Sequence, residues 1–114
     1  MDISYKGTGE DIWSHGFWAH GGKNIEYSFE LKSGNYCVNE GFFEWWNTER
    51  YMKITVSASG MQIASKSFIL GKSDTRNQQS VKFSLTSTQI ISVTVSKTSG
   101  SDPVLSWISI LQDS

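Results

Sequence analysis

Alternation with a period of two residues constrains the fold of this chain more than any other feature. Ile25, Tyr27, Phe29 and Leu31 are separated by Glu26, Ser28 and Glu30. In an extended strand that spacing puts the apolar side chains on one face and the polar ones on the other. Lys32-Ser33-Gly34-Asn35 then reads as a turn, with Gly34 free to take a positive φ. Tyr36 to Phe43 is the return strand, with Tyr36, Val38 and Phe42 on one side. Glu40 interrupts that face and is expected to mark the strand's end or a bulge. Met52, Ile54, Val56 and Ala58 alternate again, and Ser59-Gly60 turns the chain. A short strand Met61 to Ala64 follows, then Phe68 to Leu70. Gly71 to Ser80 is polar and reads as a loop. Val81 to Leu85 and Ile91 to Val95 are strands, Thr98 to Pro103 a loop, and Val104 to Leu111 the last strand. Helical spacing is absent throughout. These patterns predict an all-β fold of about seven or eight strands, a sandwich or a barrel.

Size and charge narrow the function classes. A chain of 114 residues suits one domain, residues 1–114, with one core and little room for a large buried active site. The net charge of −1 gives no long-range attraction to nucleic acid or anionic membranes. No apolar run approaches the ~18 residues of a membrane-spanning helix. The N-terminus lacks a basic segment followed by an apolar one, so no signal peptide is visible. Ser, Thr, Asn, Gln and Gly supply most of the polar surface, as in secreted β-rich domains. A secreted or cell-surface location within a longer protein is the expectation. Cys37 is the single cysteine, which excludes an intrachain disulfide and predicts a buried, inert thiol. Trp107, Ile108 and Ile110 load both faces of the last strand. That strand is therefore expected to be central or sandwiched, with Trp107 in the core.

The other four tryptophans fall in two turn-like stretches, Trp13 to Gly22 and Glu44 to Arg50. A sugar ring offers apolar C–H groups on one face and hydroxyls around its rim. Flat indoles beside His, Asn, Glu and Arg suit it, because planar polar side chains donate and accept at once. Trp13 and Trp18 are candidate stacking platforms, with His15 and His20 as hydrogen-bonding partners. Trp18 could equally fold down over the end of the sandwich. In strict alternation Phe42, Glu44 and Trp46 share one face, and Phe43 and Trp45 the other. At least one of Trp45 and Trp46 should then be accessible. Asn47 and Arg50 are placed to bind hydroxyls.

Other chemistry is weakly encoded. His15 and His20 lack nearby Cys or clustered carboxylates, so no zinc site is expected. Asp2, Glu10, Asp11 and Asp102 are scattered candidates for a structural calcium, without the spacing of a calcium-binding loop. Glu40, Glu44 and Glu49 cluster in sequence, but a hydrolase would need two of them to converge in a cleft. No catalytic motif is present, and an enzyme is not expected.

The order of these motifs resembles the galactose-binding-like and malectin-like β-sandwiches appended to bacterial glycoside hydrolases. The matching pieces are Ile25 to Tyr36, Gly41 to Trp46 with Arg50 to Ile54, and Ser101 to Ile110, so that the resemblance spans roughly residues 5 to 111. It implies a two-sheet antiparallel jelly roll, and a non-catalytic module that holds a parent enzyme on polysaccharide. It implies a ligand site in the loops at one end, which carries over to Trp13, Trp18, His20, Trp45 and Trp46. The chain is short for the family, and its acidic residues depart from the pattern of the calcium-binding members. The function expected is therefore polysaccharide or oligosaccharide binding by a monomeric module. The alternative is a spacer or protein-docking domain, with the aromatic loops as its interface.

Overall fold

The computed structural model describes residues 3–7, 15–19, 24–44, 46–73 and 77–113, the first two strands by backbone alone. In chain order the strands are β1 (Ile3–Gly7), β2 (His15–Ala19), β3 (Ile25–Leu31), β4 (Gly34–Phe42) and β5 (Arg50–Ala58). They continue as β6 (Met61–Leu70), β7 (Asn77–Leu85), β8 (Gln89–Gly100), β9 (Val104–Leu105) and β10 (Trp107–Asp113). No helix occurs among the described residues.

The strands form a β-sandwich of two antiparallel layers. One layer is the four-stranded sheet β3-β8-β5-β6. In the other, β1-β2-β9 runs on into β10-β4-β7. The join is Ser106, whose amide donates to the Gly41 carbonyl at 2.8 Å and so keeps β9 and β10 in line. The alternation read from the sequence sets the core. Tyr36, Val38 and Phe42 of β4 face inward, as do Met52, Ile54 and Val56 of β5 and Ile91, Val93 and Val95 of β8. Phe42 meets Phe68 with ring centroids 4.7 Å apart, and Tyr36 stacks on Phe83 at 5.4 Å. The Tyr36 hydroxyl donates to the Lys32 carbonyl at 2.7 Å and closes the β3–β4 turn.

Several boundaries differ from the sequence reading. The two short segments at Met61 and Phe68 are one ten-residue strand, β6. It lies at a sheet edge and is largely exposed, so its Ser65-Lys66-Ser67 stretch need not alternate. Strand β7 starts at Asn77, inside the expected loop, because Asn77, Gln78 and Gln79 continue the antiparallel register onto Phe42, Gly41 and Glu40. Strand β8 reaches Gly100, where it pairs with Arg50. Bulges fall opposite Val56/Ser57 and Tyr51/Met52, leaving Ile63 and Thr98 unpaired.

Glu40 is a correction of another kind. It neither ends β4 nor bulges it, since the register runs unbroken through Glu40 to both neighbours, Ile108 and Gln79. Its side chain points into the sandwich and is fully buried.

Trp107 is not in the core. It is half-buried and sits directly opposite Gly41 in register, on the outer face of the sheet, while Ile108 and Ile110 pack against the core. Among the described residues β10 pairs only with β4. Both of its faces are apolar because Gly41, lacking a side chain, leaves a slot that the indole fills. A Cβ at position 41 would overlap the Trp107 ring. Gly41→Ala is expected to cost about 1–3 kcal/mol in urea unfolding, and adding Trp107→Ala should remove the part due to overlap. Cys37 shares this outer face and is half-buried rather than buried. Its thiol faces Asn39 Oδ1 at 3.7 Å.

Candidate functional site

The β4–β5 connection builds a polar bracket around one indole. Glu44, two residues past the end of β4, turns inward and is buried with Arg50, the first residue of β5. The Arg50 guanidinium forks across the carboxylate, Nε to Oε1 and Nη2 to Oε2, the latter at 3.3 Å. Glu44 Oε2 also accepts the Trp46 amide at 2.7 Å. The remaining arm of Arg50, Nη1, donates to the Asp102 carbonyl at 2.5 Å, tying the β4–β5 loop to the β8–β9 loop. The guanidinium carbon lies 5.4 Å from the Trp46 ring centroid, a cation–π distance. Asn47 turns the chain with φ 56°, a left-handed conformation that Asn tolerates. The Thr48 hydroxyl donates to the Trp46 carbonyl at 3.3 Å.

Beside this bracket is an open depression of about 360 Å³, lined by Trp46, Thr48, Arg50, Ser101 and Asp102. Trp46 is 38% exposed. The Asp102 carboxylate is 3.5 Å from Lys97 Nζ, in a partly exposed ion pair that water and salt weaken. The depression therefore offers an aromatic surface, two hydroxyls and a carboxylate that keeps acceptor capacity. Arg50 contributes position more than free donors, since Glu44 and Asp102 occupy three of its nitrogens.

The sequence candidates divide. Trp46 and Arg50 line the depression, while Asn47 supplies the turn between them and is exposed. Trp13, His20 and Trp45 lie outside the described residues. Trp18 belongs to β2, opposite Ser4 and Val104, and not to a loop, because the Trp13 to Gly22 stretch contains a paired strand. Thr48 and Ser101, which also line the depression, carry no distinguishing pattern in the sequence. The Glu44 and Arg50 pair has a sequence signal, opposite charges flanking a tight aromatic turn, but nothing in it says that both are buried.

The glutamates that cluster in sequence do not converge. Glu40 is inside the sandwich, Glu44 is held by Arg50, and Glu49 accepts the Tyr51 hydroxyl. Among the described residues no three of His, Cys, Asp and Glu gather as metal ligands. Of the calcium candidates only Asp102 is described, in its ion pair with Lys97.

No family model matches the chain, and no curated protein matches it in sequence. Among solved structures it is similar to the EclA C-terminal domain, a sugar-binding protein. The two share a TM-score of 0.51 and 16% identity, over 82% of this chain and 80% of that one. At that identity the likeness shows the β-sandwich fold.

Proposed function

We propose that the chain is a non-catalytic carbohydrate-binding module whose site is the depression at Trp46. One observation carries the reading. An exposed indole is held in place by a buried ion pair, beside the hydroxyls of Thr48 and Ser101 and the carboxylate of Asp102. A sugar would lay its apolar face on the indole and give its hydroxyls to the rim. The fold shared with a sugar-binding protein supports it. Trp13, Trp18, His20 and Trp45 would extend the wall, and Asn47 would close one side. Affinity should be modest, because sugar hydroxyls exchange water hydrogen bonds for protein ones with little net gain. Tethering to a secreted glycoside hydrolase would compensate by raising the enzyme's effective concentration at the polysaccharide.

The test is titration with a panel of soluble polysaccharides, followed by intrinsic tryptophan fluorescence. One glycan should give a saturable change. Trp46→Ala should weaken its binding by about 1–2 kcal/mol, roughly tenfold, with the fold intact by circular dichroism. A flat response from folded protein across the panel would reject sugar binding in favour of a docking or spacer role.

A further inference from the structure

We infer that the binding surface continues from the Trp46 depression over the rim of the sandwich to Tyr51, which forms a second subsite, so that the module selects oligosaccharides over single sugars. This rests on the sugar-binding reading of the depression.

Tyr51 is the first outward-facing residue of β5 and is 37% exposed. It adjoins the depression through both strands that build the rim. On β5, Arg50 turns inward to hold Trp46 and Tyr51 turns outward. On β8, Ser99 is the register partner of Tyr51 and Gly100 that of Arg50, and the next two residues, Ser101 and Asp102, line the depression. The same continuity holds before β5. Thr48 lines the depression, and the following residue, Glu49, accepts the Tyr51 hydroxyl at 2.5 Å. A strip of consecutive residues therefore leads from one aromatic ring to the other.

Gly100 keeps that strip low. Its φ of +70° is a conformation that side chains strain to adopt, and a Cβ there would stand 3.9 Å from Tyr51 Cδ2. A longer side chain would rise beside the ring between the two subsites. The bulge opposite Tyr51/Met52 adds local twist. On the other side Ile69, the β6 partner of Tyr51, is also exposed and widens the apolar surface. The hydrogen bond to Glu49, followed by that carboxylate's charge, raises the Tyr51 phenol above its usual range, so the hydroxyl remains a donor and holds the ring in place. An apolar ring with a polar neighbour, one rim away from a similar arrangement, fits a second sugar of a linked chain.

The experiment measures binding of cello-, xylo- and malto-oligosaccharides from one to six residues by calorimetry, for the native chain and the Tyr51→Ala, Tyr51→Phe and Trp46→Ala variants. Native affinity should rise with length. Tyr51→Ala should lose about tenfold on the longest ligand and less than about twofold on the shortest that binds, while Tyr51→Phe, which keeps the ring but not its bond to Glu49, should show a smaller loss on the longest ligand. Trp46→Ala should weaken every length. Loss in Trp46→Ala with no change in Tyr51→Ala would overturn the second subsite and leave the first. An equal loss at all lengths in Tyr51→Ala would mark a structural role and overturn it too. No binding of any ladder by the folded native chain would overturn both.

Discussion

Replacing Glu40 with leucine is expected to stabilise the protein, by more at high pH than at low. Glu40 lies between Val38 and Phe42 on the inner face of β4, fully buried. Neither carboxylate oxygen has a hydrogen-bond partner among the described residues. Burial pushes its pKa up to about 8, and the Tyr27 phenol is raised as well, first by its own burial and then by the Glu40 charge. A carboxyl whose folded pKa lies above its ordinary 4.5 keeps its proton in the folded state while the unfolded chain releases it. Stability should therefore be greatest below about pH 4.5 as far as this group is concerned. It should then fall by about 1.4 kcal/mol per pH unit up to about pH 8 and level off above that. At pH 7 the cost is roughly 3 kcal/mol, a large part of a domain's usual margin. Urea unfolding at pH 5, 7 and 9 checks it. Glu40→Leu should flatten the fall, and Glu40→Gln, which cannot ionise, should remove the pH dependence while leaving a buried polar group. Equal pH slopes in native and Glu40→Gln protein would show that Glu40 ionises normally.

Removing Glu44 should be the most damaging change near the proposed site. The carboxylate and the Arg50 guanidinium are almost wholly buried, so Glu44→Ala leaves a cation without its partner, which costs about 3–5 kcal/mol. It also releases the Trp46 amide and the guanidinium beside the indole. Sugar affinity should therefore fall in protein that remains folded, although Glu44 does not line the depression. A double-mutant cycle with Arg50→Met separates the terms. The double variant should recover part of the stability, because no charge is left buried, but not the binding, because the indole has lost its support. Stability loss below about 1 kcal/mol would mean that solvent reaches the pair and screens it.

How legible the molecule was depends on whether a feature is local. The inner faces of β3, β5 and β8 follow from alternation within single segments, because the pleat converts sequence order directly into facing. The exposure of Trp46 had a local source too, since the aromatic run from Phe42 to Trp46 exceeds what one buried face can take. The alternation in β6 breaks off at Ser65-Lys66-Ser67 because an edge strand with much of its length exposed lacks the burial that enforces alternation. The start of β7 was hidden because Asn77, Gln78 and Gln79 are paired through backbone atoms, which carry no sequence signature.

An all-β chain with an alternating core and aromatic turns rich in polar neighbours thus follows from residue order alone. Contacts between distant segments are what turn Glu40 inward with no hydrogen-bond partner among the described residues, make Gly41 leave room for Trp107, and let Arg50 join Glu44 to the Asp102 carbonyl beneath an exposed indole. These features depend on contacts between segments such as 44–50 and 101–102. The free energy of a buried charge or a filled slot is set by what the rest of the chain places against it. Alternation is written into each strand, but the environment of a polar side chain exists only after the strands have met.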